Sequence, residues 1–564
     1  MLRSGAGHRI ALVAILAISL TAGALTRAAS LRQSATFDEI ILVSGGARGV
    51  THGHWDMVTD QPPLMMWLYG WAVMSAEPEL PPEDRTWAFN QRWDYARALF
   101  FGGRNDPEVL LPRSRLVATA MAAALVLAAG LFGLWIAGPA TGVLAALLTG
   151  LVPDVLGHGG VAYNDVPLAL AFLLSVWAFD ASVRIPGWRM GGLAGVALAC
   201  AFGMKMSALA LLPIAGLLLT MEGASRWTDL EWRRSIGMTV GACLAVAYLV
   251  LVVLYSGDLT LSLLRFNFWR TVLHTTGGHP APAFLLGAAS EGGWWYYFPV
   301  TFLLKTSAGL HLALGAGTAL LGARFVAMFR KDRGAALSRL LAWRGRAPLV
   351  GAVVFGAFLV RSDLNAGFRY ALPTVPLLCV FAAVGLRRSW SRWVAGTEAT
   401  RVGGADGVPR YVPVRGITAV AIALSVFSVL TAHPWYLSYS SAWAGGRDYA
   451  WHVMSDSNVD WGQGLLELRR FMEEEGVQSV RLSYFGSARP AAYGIEYVAL
   501  PSFFRLAQPQ TAAAEANPRF TVISATNLQG LYLQGRDPFA PYREREPYRM
   551  LGHALLVFDE HAGG

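Results

Sequence analysis

Charge is scarce in this chain. Asp, Glu, Lys and Arg make up 15% of its 564 residues, where a soluble globular chain carries about 25%. Lysine is scarcer still: there are three (Lys205, Lys305, Lys331) beside 43 arginines. Cysteine is equally rare. Cys200, Cys243 and Cys379 all fall in apolar runs, with no CxxC and no Cys/His spacing. A disulfide framework and a thiolate metal centre are thereby excluded, and the three read as small buried hydrophobes. No GxGxxG follows a strand pattern and no Walker loop is present, so no soluble nucleotide site is indicated. No internal repeat is evident. These absences argue against a cytosolic enzyme, a disordered scaffold and a nucleic-acid binder.

What the chain has instead is apolar length. Hydrophobic residues reach 54% and gather in runs of membrane-spanning size. The first, 10–25, follows a short basic start and reads as a retained signal anchor rather than a cleaved peptide. Ten more follow at 115–136, 140–157, 165–183, 190–204, 207–221, 236–256, 297–322, 347–361, 370–386 and 416–432. With the N-terminus inside, the arginine-dense connectors after 183, 221, 322 and 386 are cytoplasmic, as the positive-inside bias requires. The same parity puts 28–114, 158–164, 257–296, 362–369 and everything beyond 432 outside. The expected fold is mainly α: a polytopic membrane bundle of about 11 spans, N-in and C-out. Extracytoplasmic interfacial helices and a small C-terminal α/β domain complete it. The boundary falls between 1–432 and 433–564, with 28–114 a large first outer loop. The tail carries 11 Arg against 14 acidic residues, so the net +9 resolves into +12 on the membrane part and −3 on the tail. Its pattern predicts a helix over 464–475 and strands at 477–484, 520–525 and 554–558. Residues 395–409 read as a flexible cytoplasmic linker.

Ionisable groups collect on one side of these runs. Asp38 and Glu39 stand just beyond the first span, where a carboxylate meets both water and an apolar cleft and can act as a general base. The bland alternative is that Asp38 caps a helix starting at Glu39. Residues 64–74, rich in Met and Trp, suggest a helix lying in the interface. His52 and His54 lack a third ligand, so a divalent metal stays open as a cofactor and no metal site is assigned. Asp154, His158, Asn164 and Asp165 crowd the next outer loop, with Asp165 as a site residue or an N-cap ahead of Pro167. Lys205, Lys305 and Arg369 lie on the same side, against the loop bias. An anionic partner such as a lipid-linked phosphate would explain them, and snorkelling to headgroups is the alternative. Tyr370 adjoins Arg369, and the tail adds Asp456, Asp460 and Gln463.

At these residues the chain resembles the polytopic C-superfamily glycosyltransferases, in the branch of the protein O-mannosyltransferases and aminoarabinose transferases. It is most similar to the bacterial phospholipid carrier-dependent glycosyltransferases. The resemblance rests on Phe37-Asp38-Glu39, Gln61-Pro62-Pro63-Leu64, His158-Gly159 through Pro167, Gly203-Met204-Lys205 and Phe302 through Thr306. It continues with Asn365 through Pro373, Asp456 through Leu465, Tyr484-Phe485-Gly486 and Tyr493-Gly494-Ile495, and so runs through nearly the whole chain. Gln61 stands where the family often has His. The resemblance implies transfer of a sugar from a polyprenyl-phosphate donor to a protein, lipid or glycan acceptor, in a bacterial plasma membrane with an extracytoplasmic site. Asp38 would be the base with Glu39 supporting it, Asp165 a second acidic site residue, and Lys205, Arg369 and Lys305 the phosphate contacts. For the Asp456–Gln463 segment the resemblance supplies no mechanism; acceptor docking and a tight loop capping a helix are the two readings. The competing class is a transporter or flippase of lipid-linked sugars. A membrane-anchored binding module is a third, for which so many spans would be wasteful.

Overall fold

The computed structural model describes residues 5–82, 91–276, 282–394, 401–403, 409–411, 414–506, 518–533 and 537–561. Among them seven helices are long and apolar enough to cross a membrane. These are Ala6–Ser30, Pro107–Ala137, Asp165–Arg184, Met206–Arg226, Leu230–Leu254, Ala308–Lys331 and Val414–Ala432. Two bent pairs, Pro139–Gly150 with Pro153–Gly159 and Arg333–Ala342 with Arg346–Val360, raise the number to nine if each is one span. Two shorter apolar helices, Trp188–Met204 and Thr374–Arg387, lie among them. The chain is an integral, multi-pass membrane protein.

Local chemistry sets the helix ends. Asp106 accepts from the Glu108 amide and Pro107 follows at the first turn, Asp229 accepts from the Trp232 amide, and Ser307 accepts from the Leu310 amide. Each is a side-chain N-cap. The Ser307 cap corrects one expectation. The run 297–322 is two helices, Tyr297–Lys305 and Ala308–Lys331, broken at Thr306 and Ser307, so Lys305 ends a helix instead of lying within a span. The run 140–157 is likewise broken at Leu151 and Val152, with a 65° bend.

Between the first two long spans lie Glu39–His52 and Pro63–Met74. They pack backbone to backbone. A Cβ on Gly46 would lie 2.2 Å from the Met66 carbonyl oxygen, and one on Gly70 2.3 Å from that of Gly46, so only glycine permits the approach. Met65, Met66, Tyr69 and Val73 of the second helix are buried. The helix expected to lie flat in the interface is thus half core, although Trp71 stays 55% exposed.

The far ends of the helices carry an ion cluster. Arg346, buried, reaches Glu222 at 2.6 Å and Asp180 at 3.4 Å, and Arg184 reaches Asp180 at 2.8 Å. Arginines that the sequence shows as a loop bias are therefore partly spent in tying three helices together. Of the 395–409 stretch, Arg401–Gly403 and Pro409–Tyr411 are described, and they pair antiparallel; the rest lies outside the described residues.

The tail forms a five-stranded sheet in the order Tyr497–Ala499, Val480–Ser483, Phe520–Ser524, Leu555–Asp559, Arg549–Leu551. The first three strands are parallel and the last two antiparallel. Phe520–Ser524 and Leu555–Asp559 are buried throughout, as central strands with near-continuous apolar sequence should be. The helix Leu465–Glu475 turns Leu465, Leu468, Phe471 and Met472 inward, and Phe471 meets Phe520 edge-on at 5.1 Å. The short edge strands Tyr497–Ala499 and Arg549–Leu551 escape the sequence pattern because three residues show no period.

One buried pair fixes the start of the first loop. Glu39 is fully buried and takes Arg115 Nε and Nη2 at 2.8 and 2.7 Å. The other donors of Arg115 go to the carbonyls of Ser30, Gln33 and Ser34. Burial pushes the Glu39 carboxyl up, but the Arg115 guanidinium and the Ala162 and Thr36 amides outweigh it and hold it below the usual carboxylate range. The stabilisation is therefore present at neutral pH and lost as pH falls through the lowered value. Glu39→Gln should cost about 3–5 kcal/mol at pH 7 by stranding the guanidinium. Thermal unfolding of detergent-purified protein should show that deficit and show it shrinking in acid; equal Tm values at pH 7 would contradict the assignment.

Candidate active site

A cavity of about 700 Å³ opens where several helices end. Asp165 begins the helix Asp165–Arg184, Lys205 follows the end of Trp188–Met204, and Arg369 lies in the single turn Phe368–Ala371 ahead of Thr374. Asp38 and Phe37 enter from the first loop, and Asp456, Trp461, Phe485, Phe503, Phe504 and Tyr532 enter from the tail. Leu168, Met206, Phe298, Phe355, Phe358 and Leu359 supply an apolar side from the membrane helices.

Four charges form a chain along its wall. Arg369 Nη2 donates to Asp38 Oδ2 at 3.1 Å, Arg369 Nη1 lies 3.5 Å from Asp165 Oδ2, and Lys205 Nζ donates to Asp165 Oδ1 at 2.6 Å. Arg369 and Asp165 are buried, whereas the Asp38 side chain is 23% exposed. The cations are also faced by rings. Arg369 sits 4.2 Å from the Trp461 centroid and 4.9 Å from that of Tyr370, and Lys205 sits 4.4 Å from Tyr370. Two cations balanced by two carboxylates are tolerable at a buried position. Among the described residues nothing accepts a hydrogen bond from Arg369 Nε or Nη1, and both atoms are buried.

The capping expectations do not hold. Asp38 precedes the helix Glu39–His52, but its carboxylate makes no cap bond. Asp165 is the first residue of its helix and Asn164 the cap position, again without a side-chain cap bond. Both carboxylates are thereby left to face cations.

The structure brings Asp38, Asp165, Lys205, Arg369, Tyr370 and Asp456 to the cavity and leaves other expected residues outside its lining. Glu39 is consumed by Arg115, so it supports the loop and cannot touch a substrate. Lys305 is fully buried, and its ammonium donates to the carbonyls of Leu437, Tyr439 and Asn458 at 2.9, 2.7 and 2.6 Å, with Asp154 at 3.3 Å. An ammonium has three donors, so none remains for a phosphate. Its role is to tie the helix break at Thr306 to the tail. His158 lies buried 3.6 Å from Asp154. Asn164 bridges Gln61 and the Met204 carbonyl.

The Asp456–Gln463 segment is a tight loop that makes no side-chain cap on the helix Leu465–Glu475, and its Asp456 and Trp461 reach the cavity. Asp460 accepts from the Gly462 and Thr526 amides, and burial pushes its carboxyl up to about 7. Gln463 holds the Trp461 amide and Ser438. The loop pairs with both walls: the Phe37 amide donates to the Trp461 carbonyl, the Ser34 amide to that of Gln463, and the Phe368 amide to Asn458 Oδ1. Gly367 is the residue that lets it close. At φ +148° a side chain is strained, and a Cβ would lie 2.1 Å from Ser457 Oγ.

Among the described residues no three His, Cys, Asp or Glu side chains gather to hold a metal. His54 Nδ1 lies 3.4 Å from Arg48 Nη2, next to a cation instead of a second ligand. The sequence reading passed over Trp461, Tyr163, Tyr532 and the aromatic pair Phe503 and Phe504. Trp461 and Tyr163 lie inside motifs already singled out and were readable as ring partners for cations. Phe503 and Phe504 carry no pattern that sequence could show.

No protein-family profile matches the chain, and no curated protein does. Solved structures do. The chain is similar to ArnT from Cupriavidus metallidurans bound to undecaprenyl phosphate, at 14% identity over 75% of this chain and 72% of that one, with a TM-score of 0.42. It is similar to the oligosaccharyltransferase of Archaeoglobus fulgidus in the apo form, at 13% identity over 78% and 57%, with a TM-score of 0.46. It is also similar to the arabinosyltransferase EmbB from Mycobacterium smegmatis, at 13% identity over 74% and 37%, with a TM-score of 0.36.

The Lys305 tie has a direct test. Lys305→Met strands Asp154 in the interior, at a cost of about 3–5 kcal/mol, and Asp154→Asn in the same chain should restore part of that loss. Thermal unfolding of the two single variants and the double variant measures the coupling; strictly additive losses would remove the pair from this role.

Proposed function

We propose that this chain is a membrane glycosyltransferase that moves a sugar from a polyprenyl-phosphate-linked donor to an acceptor hydroxyl or amine. The site would face the outer side of a bacterial plasma membrane. The observation that carries the reading is the Asp38–Arg369–Asp165–Lys205 chain on the wall of a cavity that is apolar toward the membrane helices. Such a wall suits a ligand with an anionic head and a hydrocarbon tail. Arg369 would supply one positive charge for the donor phosphate and Lys205 a second. Asp165 keeps both cations in place as their shared counter-charge.

Asp38 is the most exposed member of the chain, the one best placed to meet an acceptor. It would take the proton from the acceptor group as that oxygen or nitrogen bonds to the anomeric carbon. The bond from that carbon to the phosphate oxygen breaks on the opposite face, and polyprenyl phosphate leaves with the electron pair. One displacement inverts the anomeric centre. The cations act most strongly on the charge that develops on the leaving phosphate, and Arg369 is already aimed by Asp38 and Trp461.

General-base catalysis contributes about 10²–10⁴-fold. Asp38→Asn, purified in nanodiscs and supplied with undecaprenyl-phosphate sugars and the membrane fraction as acceptor source, should lose sugar transfer by that factor while its Tm is kept. Full activity in the variant would remove Asp38 as the base. Movement of lipid-linked sugar between leaflets of acceptor-free liposomes would favour transport instead.

A further inference from the structure

The cavity has two unlike walls. The wall built by the membrane helices carries Asp165, Lys205 and Arg369 with apolar side chains beneath them. The wall built by the tail carries Asp456 and the rings of Phe485, Phe503, Phe504 and Tyr532. Asp38 stands at the junction. Its side chain meets Arg369, while its neighbour Phe37 stacks on Phe485 at 5.1 Å and on Phe504 at 5.2 Å.

Asp456 is held in an unusual pose. Its φ is +55°, a region that Asp and Asn enter more readily than other side chains but at some cost. Its carboxylate takes the Ser457 amide on Oδ1 and the Tyr532 hydroxyl on Oδ2, and its own amide donates to Thr526 Oγ1 at 3.0 Å. A carboxylate has about four acceptor positions, so two internal bonds leave capacity on the side that faces the cavity. Phe503, next along the wall, is 41% exposed.

We propose that Asp456 and the aromatic wall of the tail form the acceptor subsite, and that the acceptor is a saccharide. This rests on the glycosyltransferase reading and names its second substrate. A sugar ring presents adjacent hydroxyls that one carboxylate can accept together, and an apolar C–H face that lies against an aromatic ring. An extended peptide acceptor would instead seek backbone partners along a free strand edge. The edge strands of the tail sheet are Tyr497–Ala499 and Arg549–Leu551, and neither these nor the two-stranded pairs Ala283–Leu285 with Ala288–Ser290 and Arg401–Gly403 with Pro409–Tyr411 line the cavity. The donor then enters from the helix wall and the acceptor from the tail wall, with Asp38 between them.

The test needs no donor. Mannotriose, chitotriose and a short Ser/Thr peptide are titrated against the full chain in nanodiscs by saturation-transfer difference NMR. At least one saccharide should bind, and Asp456→Asn and Phe503→Ala should each weaken it by about tenfold, the first by loss of a charge-assisted hydrogen bond and the second by loss of a ring face for the sugar's C–H groups. Asn tolerates the same positive φ and Phe503 is exposed, so both variants should fold, which their Tm checks. Failure of every saccharide to bind, binding indifferent to both variants, or peptide binding that depends on Asp456 would each overturn the proposal. A negative result here leaves the Asp38→Asn outcome intact, because transfer and acceptor class are read separately.

Discussion

One buried ammonium joins the membrane helices to the tail at three carbonyls. Lys305 closes a nine-residue helix and donates to carbonyls at 437, 439 and 458, and Asp154 supplies its counter-charge from a separate bent helix pair. Desolvating a lysine is costly, and the geometry repays that cost only with every donor filled. The chain therefore cannot slide or swing at this point without exposing an unpaired charge. From Asn458 the constraint passes to the Phe368 amide, and one residue later comes Arg369.

The same logic repeats around the cavity with a different outcome. Glu39 and Arg115 are filled by each other and by surrounding backbone groups, and so are inert. Asp165, Lys205, Arg369 and Asp38 satisfy each other in charge but not in hydrogen bonds, since Arg369 Nε and Nη1 and Asp165 Oδ2 have no hydrogen-bond partner among the described residues. Adjacent residues in sequence, Asp38 and Glu39, thus fall on opposite sides of that divide. The difference is one helical step: Glu39 turns into the protein toward Arg115, and Asp38 remains at the mouth.

Much of this was legible from the sequence, and the limits have physical causes. Apolar runs revealed the helices because spanning a bilayer demands length, but not the breaks at Thr306 and Leu151, which depend on capping and packing. Position showed that Asp165, Lys205 and Arg369 share one side. It could not separate Lys205, which lines the cavity, from Lys305, which does not, because both are lone lysines at helix ends. What decides between them is three carbonyls from a segment more than 130 residues away. The distinctive Asp456–Gln463 motif was visible as a motif, yet its contacts with Phe37 and Phe368 require the tail to be folded against both.

Trp461 and Ser457 give the site a place in the history of the molecule as well as in space. Among the described residues the membrane helices all precede in the chain the residues that cover Arg369, and the tail then has to close over Gly367. Until it does, the helix bundle carries an uncovered Arg369–Asp165–Lys205 cluster and no tail wall. Synthesis itself thus orders assembly: the membrane helices that carry Arg369, Asp165 and Lys205 precede in the chain the tail residues that cover them.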